Sequence, residues 1–187
     1  RAGSKRIKNK NIKKFLGKPL IAWSIQKAKE SKLFDDIIVS TDSKKIANIA
    51  KKFGASIPFL RPKRLADDYT IDIEVLQHYL DYVSKNKIKI KTLCYLYATN
   101  PLVKVSTLKK CYNLIKKSKY PKVMTVCKYP SPIERAFKKN YSGEVKLREK
   151  KYVFHRSQNL NEYYYDAGHC YWYNIDKYEK IRNKKNI

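Results

Sequence analysis

The chain has 187 residues, 43% of them apolar, and a formal net charge of +27. That length suits one domain with a true core, and no apolar run reaches the roughly 20 residues of a membrane-crossing helix, which excludes a helical membrane protein. Such a charge by itself points to a polyanionic partner, but 35 of the 43 cations are lysines spread along the chain, so the excess reads as a compositional habit rather than a built face.

The basic, polar opening residues carry no signal-peptide pattern, so a soluble cytoplasmic protein is expected. The segment 1–11 combines Arg1, Lys5, Arg6, Lys8 and Lys10 with Gly3, Ser4 and Asn11. A basic loop of this kind before a helix suits a polyphosphate: glycine admits an anion close to the backbone, cations neutralise it and Ser4 adds a donor. No Gly-Lys-Ser/Thr follows at Walker spacing, so this is not a P-loop. A helix is expected over 19–31 with Pro19 in its first turn, then a buried strand over 36–40 ending at Thr41-Asp42. A second helix over 43–53 stops at Gly54, and a strand follows over 55–60. Helix 72–84 turns Val75, Leu76, Tyr79, Leu80 and Val83 inward. Strand 92–98, a helix capped by Ser106 and running to 117, strand 122–128 and a late aromatic strand 168–173 complete the alternation.

Strands separated by helices predict an α/β fold with a mostly parallel sheet covered on both faces. Ligands of such sheets sit beyond the carboxyl ends of the strands, where Ser40-Thr41-Asp42, Arg61 with Asp67-Asp68, and Ala98-Thr99-Asn100-Pro101 fall. Between 129 and 165 the alternation fails. Tyr129-Pro130-Ser131-Pro132 breaks the chain, and 140–143 reads as a hairpin turn. This excursion from a single domain of residues 1–187 is expected to be a lid or a dimer contact. The lysine-rich runs 8–14 and 85–91 are expected as solvated surface. Cys94, Cys111, Cys127 and Cys170 show no C-x-x-C spacing and are expected as buried free thiols.

The ordered set Arg1-Ala2-Gly3-Ser4-Lys5-Arg6-Ile7, Lys10-Asn11-Ile12, Leu16-Gly17-Lys18-Pro19-Leu20-Ile21, Ile38-Val39-Ser40-Thr41-Asp42, Phe53-Gly54-Ala55, Pro58-Phe59-Leu60-Arg61-Pro62 and Leu65-Ala66-Asp67-Asp68 resembles the acylneuraminate cytidylyltransferases. The resemblance implies a Rossmann-like nucleotidyltransferase fold and usually a homodimer. It implies transfer of CMP from CTP to a nine-carbon acidic sugar with release of pyrophosphate, and a Mg2+ cofactor. It assigns Arg1, Ser4 and Lys5 to the triphosphate, Lys10 to the reacting phosphates and Asn11 to the nucleoside. Arg61 and Thr70 fall to the cytosine and Asp72 to the ribose. Lys5 and Lys10 are the expected catalytic residues, by charge stabilisation. Tyr97, Arg156 and Asp166 are expected at the sugar, with Arg156 on its carboxylate.

Tyr129–Phe137, Arg156-Ser157-Gln158-Asn159-Leu160 and Tyr165-Asp166-Ala167-Gly168 resemble the pseudaminic-acid branch of that family, which favours pseudaminic acid over N-acetylneuraminic or legionaminic acid. The chain starts inside the phosphate loop and stops before the family's late acidic motif, so an incomplete chain is expected, with unknown metal ligands and a polar end over 181–187 that closes no element. A basic nucleic-acid-binding module is the rival class. For Asp42, a helix cap competes with ligand contact. For Arg61, an ion pair with Asp67 or Asp68 competes with the nucleotide.

Overall fold

The computed structural model describes residues 1–185. Two compact units divide the chain: Arg1–Met124 together with the stretch from His169 on, and Thr125–Gly168.

In the first unit the basic segment does not run straight into a helix. It closes a short 3-10 turn, Lys10–Ile12, and then a hairpin of β1 (Lys14–Phe15) and β2 (Lys18–Pro19). Leu16 and Gly17 form its tip with φ of 47° and 81°, the paired positive values of a two-residue hairpin turn, for which Gly17 is suited and Leu16 is not. Pro19 then precedes α1 (Leu20–Ser31) as its N-cap. Helix α2 (Lys44–Lys52) follows, capped by Ser43, whose Oγ accepts the Ile46 N–H at 3.3 Å. Gly54 ends it at φ +89°, as a glycine just past a helix does.

The two strands expected around α2 shrink to one parallel bridge between Ile38 and Ser56. Val39 N–H donates to Ser56 O and Ser56 N–H to Ile37 O. Pro58 has no N–H to extend the ladder, which is the physical reason it stops. Helix α3 (Asp72–Lys85) begins with Asp72 and Glu74 in its first turn, and the Glu74 carboxylate accepts the Ile71 N–H at 2.9 Å. Next come β3 (Thr92–Leu96) and α4 (Val105–Lys117). Lys104, not Ser106, is the N-cap of α4 and gives no side-chain bond; the helix starts two residues earlier than the sequence suggests.

Strands β4 (Lys122–Lys128) and β7 (Tyr164–Asn174) complete a three-stranded sheet of order β3-β7-β4. The pairing of β3 with β7 is antiparallel, with Thr92 opposite Asn174 and Leu96 opposite Cys170. The expectation of a mostly parallel sheet therefore needs correction here. The chain returns to the sheet through the second unit rather than through a crossover helix, so its last strand can run against its neighbour. Helix α5 (Ile175–Lys185) ends the described chain; it occupies most of the 181–187 end that was expected to close no element, and residues 186–187 lie outside the described residues.

Both faces of the sheet are covered, as the α/β reading requires. Alternation along β7 sends Cys170 and Trp172 to one side, packed with Leu108, Cys111 and Ile115 of α4. It sends Tyr171 and Tyr173 to the other, packed with Leu76 and Leu80 of α3. A third cluster joins Ile21 and Ile25 of α1 to Ile46 and Ala50 of α2. Cys111 and Cys170 are buried free thiols, and their mutual hydrogen bond, followed by burial, pushes Cys111 well above the usual thiol range. Cys94 and Cys127 are only half-buried.

In the second unit β5 (Phe137–Lys139) and β6 (Val145–Leu147) form a hairpin around the expected 140–143 turn, where Asn140 N–H donates to Glu144 O. A 3-10 turn, Ile133–Arg135, precedes it, and Arg135 donates to Ser157 Oγ at 3.1 Å.

Candidate active site

The basic segment is fastened at two carboxylates. Asp42 Oδ1 accepts the Ala2 N–H at 2.8 Å. Asp42 therefore anchors the loop and does not cap α2, a task that falls to Ser43. Asp68 accepts both loop cations: Arg1 Nη2 stands 2.6 Å from Oδ1, and Lys5 Nζ bonds Oδ2. Those two hydrogen bonds, Lys5's the larger, hold the Asp68 carboxyl below its usual range. Asn11 Nδ2 donates back to Arg1 O at 3.1 Å and closes the loop. Ser4 N–H donates to Ala2 O at 2.8 Å. Lys10 lies in the 3-10 turn and carries no ion pair among the described residues.

Arg61 does not pair with Asp67 or Asp68. Its Nε donates to Ser40 Oγ at 3.0 Å, Nη2 to Ser40 O at 2.7 Å and Nη1 to Leu65 O at 3.5 Å. Its own N–H donates to Thr41 O. Burial lowers the guanidinium pKa, the nearby charge of Arg1 adds to that, and Tyr95, Asp42 and Asp72 oppose it. Arg1, Asp42, Arg61 and Asp72 thus share one electrostatic neighbourhood. Asp67 Oδ1 accepts the N–H groups of Tyr69 and Thr70 and the Thr70 hydroxyl, which sets the turn into α3.

Asp72 and Tyr97, expected on different substrates, are bonded to each other. Tyr95 Oη donates to Asp72 Oδ1 at 2.9 Å and Tyr97 Oη to Oδ2. Burial first, then the Asp72 carboxylate, pushes both phenols well above the usual tyrosine range. Tyr171 packs edge-on against both rings, at 6.2 and 5.8 Å between centroids. Tyr95 is the residue that sequence reasoning passed over, and Asp68, placed there beside Arg61, instead holds Arg1 and Lys5. Tyr95 had a signal, since it stands two positions before Tyr97 and so shares its face of the strand.

Arg156 and Asp166 belong to the second unit. Arg156 is exposed at the start of the 3-10 turn Ser157–Asn159, and Asp166 Oδ1 accepts the Gly168 N–H at 2.8 Å.

Among the described residues no group of three or more His, Cys, Asp or Glu is placed to hold a metal ion. The acids of the site are already engaged: Asp42 by backbone, Asp67 by its turn, Asp68 by two cations and Asp72 by two phenols. These residues, as they stand, do not fit the magnesium ion that the resemblance implies.

A doubly covered α/β sheet with a basic loop fastened to Asp42 and Asp68 suits a nucleotidyltransferase. Residues 1–184 match the family described as Cytidylyltransferase, and the chain belongs to it. It is 39% identical over 172 residues to a pseudaminic acid cytidylyltransferase of Campylobacter jejuni subsp. jejuni serotype O:23/36, covering 92% of this chain and 74% of that protein. It is 39% identical over 109 residues to a CMP-N,N'-diacetyllegionaminic acid synthase of Legionella pneumophila, covering 58% of this chain and 47% of that one. Among solved structures, a CMP:2-keto-3-deoxy-manno-octonic acid synthetase complexed with CTP shares the fold at a TM-score of 0.67 and 16% identity, over 97% of this chain and 74% of that one. No helix of the described residues is long and apolar enough to cross a membrane.

Proposed function

We propose that this enzyme transfers CMP from CTP to pseudaminic acid in the cytoplasm. The anomeric hydroxyl oxygen of the sugar bonds to the α-phosphorus of CTP, the bond from that phosphorus to the β-phosphate bridging oxygen breaks, pyrophosphate leaves with that electron pair and the hydroxyl proton passes to solvent. In-line displacement at phosphorus asks the protein chiefly for positioning and charge neutralisation. The observation that carries the reading is the convergence of Arg1 and Lys5 on the Asp68 carboxylate, since two cations held on one anion form a seat that phosphate oxygens can take over. Lys10 supplies a further charge for the reacting phosphates. Ser4 would donate to the triphosphate and Asn11 would set the loop's curvature against the nucleoside. Arg61 and Thr70 would shape the base pocket through the backbone they hold, and Asp72 would accept a ribose hydroxyl. Arg156, with a planar fork of donors, suits the sugar carboxylate, and Asp166 would border the sugar. No step is routed through magnesium.

The relatives favour pseudaminic acid through identity across most of the chain, and legionaminic acid is the second reading, from the shorter match. The test is pyrophosphate release with CTP and each of pseudaminic, legionaminic and N-acetylneuraminic acid. Release with pseudaminic acid at the highest kcat/KM supports the reading; preference for another sugar moves it to that sugar, and release with none of them refutes it.

A further inference from the structure

The basic segment has a second side. Between it and the start of α2 lies an open hollow of about 600 Å³ whose walls carry Arg6, Lys8, Lys13 and Lys45 and whose apolar surface includes Ile12 and Ile49. No carboxylate lines it, and among the described residues none of the four cations forms an ion pair. It shares no lining residue with the seat of Arg1, Ser4, Lys5, Lys10, Asn11 and Arg61. A volume of this size holds a small molecule, and concave walls of one sign concentrate counter-ions.

An independent observation comes from α2 itself. Its first turn contains no acid and begins with Lys44 and Lys45, so cations stand at the positive end of the helix dipole. That arrangement opposes helix formation, and a bound anion beside Lys45 would relieve it. The first turns of α1 and α4 lack acids as well, so what sets α2 apart is that its unopposed Lys45 faces this hollow.

We propose that this hollow is an accessory site for a small phosphate-bearing anion, distinct from the CTP seat. Its apolar walls admit more than a bare phosphate, and its four unopposed cations suit a ligand with at least two negative charges. Two sources carry that chemistry: the pyrophosphate that the transfer releases and a nucleoside monophosphate.

The experiment titrates pyrophosphate, and separately CMP, into protein saturated with CTP in the absence of sugar, with Lys45→Glu alongside. The expected result is binding of one equivalent of one of the two anions, the preferred one identifying the source, and at least a tenfold weakening in Lys45→Glu. The variant should keep its CTP affinity and melt no lower than the parent without ligand, because an acid now stands in the first turn of α2. Absence of binding to the CTP-saturated protein overturns the proposal. So does unchanged affinity in Lys45→Glu, or a mixed-sequence oligoribonucleotide binding as tightly as the small anion, which would make this a general polyanion surface. Failure of CTP itself to bind counts against the proposed function alone, and the same titrations on the ligand-free protein then decide the hollow.

Discussion

Asp68 sets the state of the phosphate loop before any substrate arrives. It neutralises Arg1 and Lys5, so on the proposed assignment CTP would exchange its own oxygens for this carboxylate. Replacing it by the neutral, equally sized asparagine in Asp68→Asn frees both cations and should tighten CTP binding severalfold by calorimetry. Weaker binding would mean that Asp68 chiefly preorganises the loop. If Lys5 and Lys10 stabilise charge developing at the phosphates, as proposed, Lys5→Ala and Lys10→Ala should each lower kcat by about 10²–10³-fold, the range for a single electrostatic donor. Near-parental rates for both variants would remove the loop from the catalytic machinery. Tyr97 gives a sharper test of the site's division. Sequence resemblance places it at the sugar, whereas the structure bonds it to Asp72. Tyr97→Phe should therefore raise KM for CTP about threefold to tenfold, the loss of one hydrogen bond of ordinary net strength, and leave KM for the sugar nearly unchanged. The reverse pattern would return Tyr97 to the sugar.

At the scale of elements, long periodic stretches were legible and short ones were not. Helices α1 to α4 lie within a residue or two of their sequence expectations, and β4 matches its expected span, because buried side chains recur at the spacing each element needs. The strands around α2 were misjudged because an apolar run such as Ile37-Ile38-Val39 reads as a strand whether or not a partner can supply its hydrogen bonds, and Pro58 withholds one. The antiparallel return of β7 was invisible because direction depends on the path through the second unit, which no local pattern records. In the site, motif order identified the loop, but the anchoring roles of Asp42 and Asp68 depend on contacts spanning 40 residues or more. Caps show the same contrast in measurable form. Ser43→Ala removes the bond to Ile46 N–H and should cost about 1 kcal/mol, lowering the melting temperature by about 2–4 °C in a chain of this size. Ser106→Ala, within α4 and without a capping bond, should shift it by less than 1 °C, since alanine is at least as good a helix former as serine. Equal losses would place the α4 cap back at Ser106.

For the molecule as a whole, the second unit carries more apolar surface than its own hairpin can cover. Phe154 is 96% exposed and Phe137 64%, and Val145, Tyr164 and Tyr165 are exposed as well. Exposed aromatics so concentrated in 44 residues are candidates for an interface, where Trp and Tyr are enriched among the residues that carry the binding energy. A second copy of the chain is the occupant to test first. A two-fold dimer places the same patch on both subunits, so one substitution is felt twice at the interface. Phe154→Asp should then shift the protein from dimer to monomer in light scattering at micromolar concentration. Because Phe154 makes little contact within its own chain, the variant should keep the melting transition of the first unit, so loss of the dimer can be told from loss of the fold. If the parent protein is already a monomer at those concentrations, or if Phe154→Asp stays dimeric, the patch serves something other than self-association.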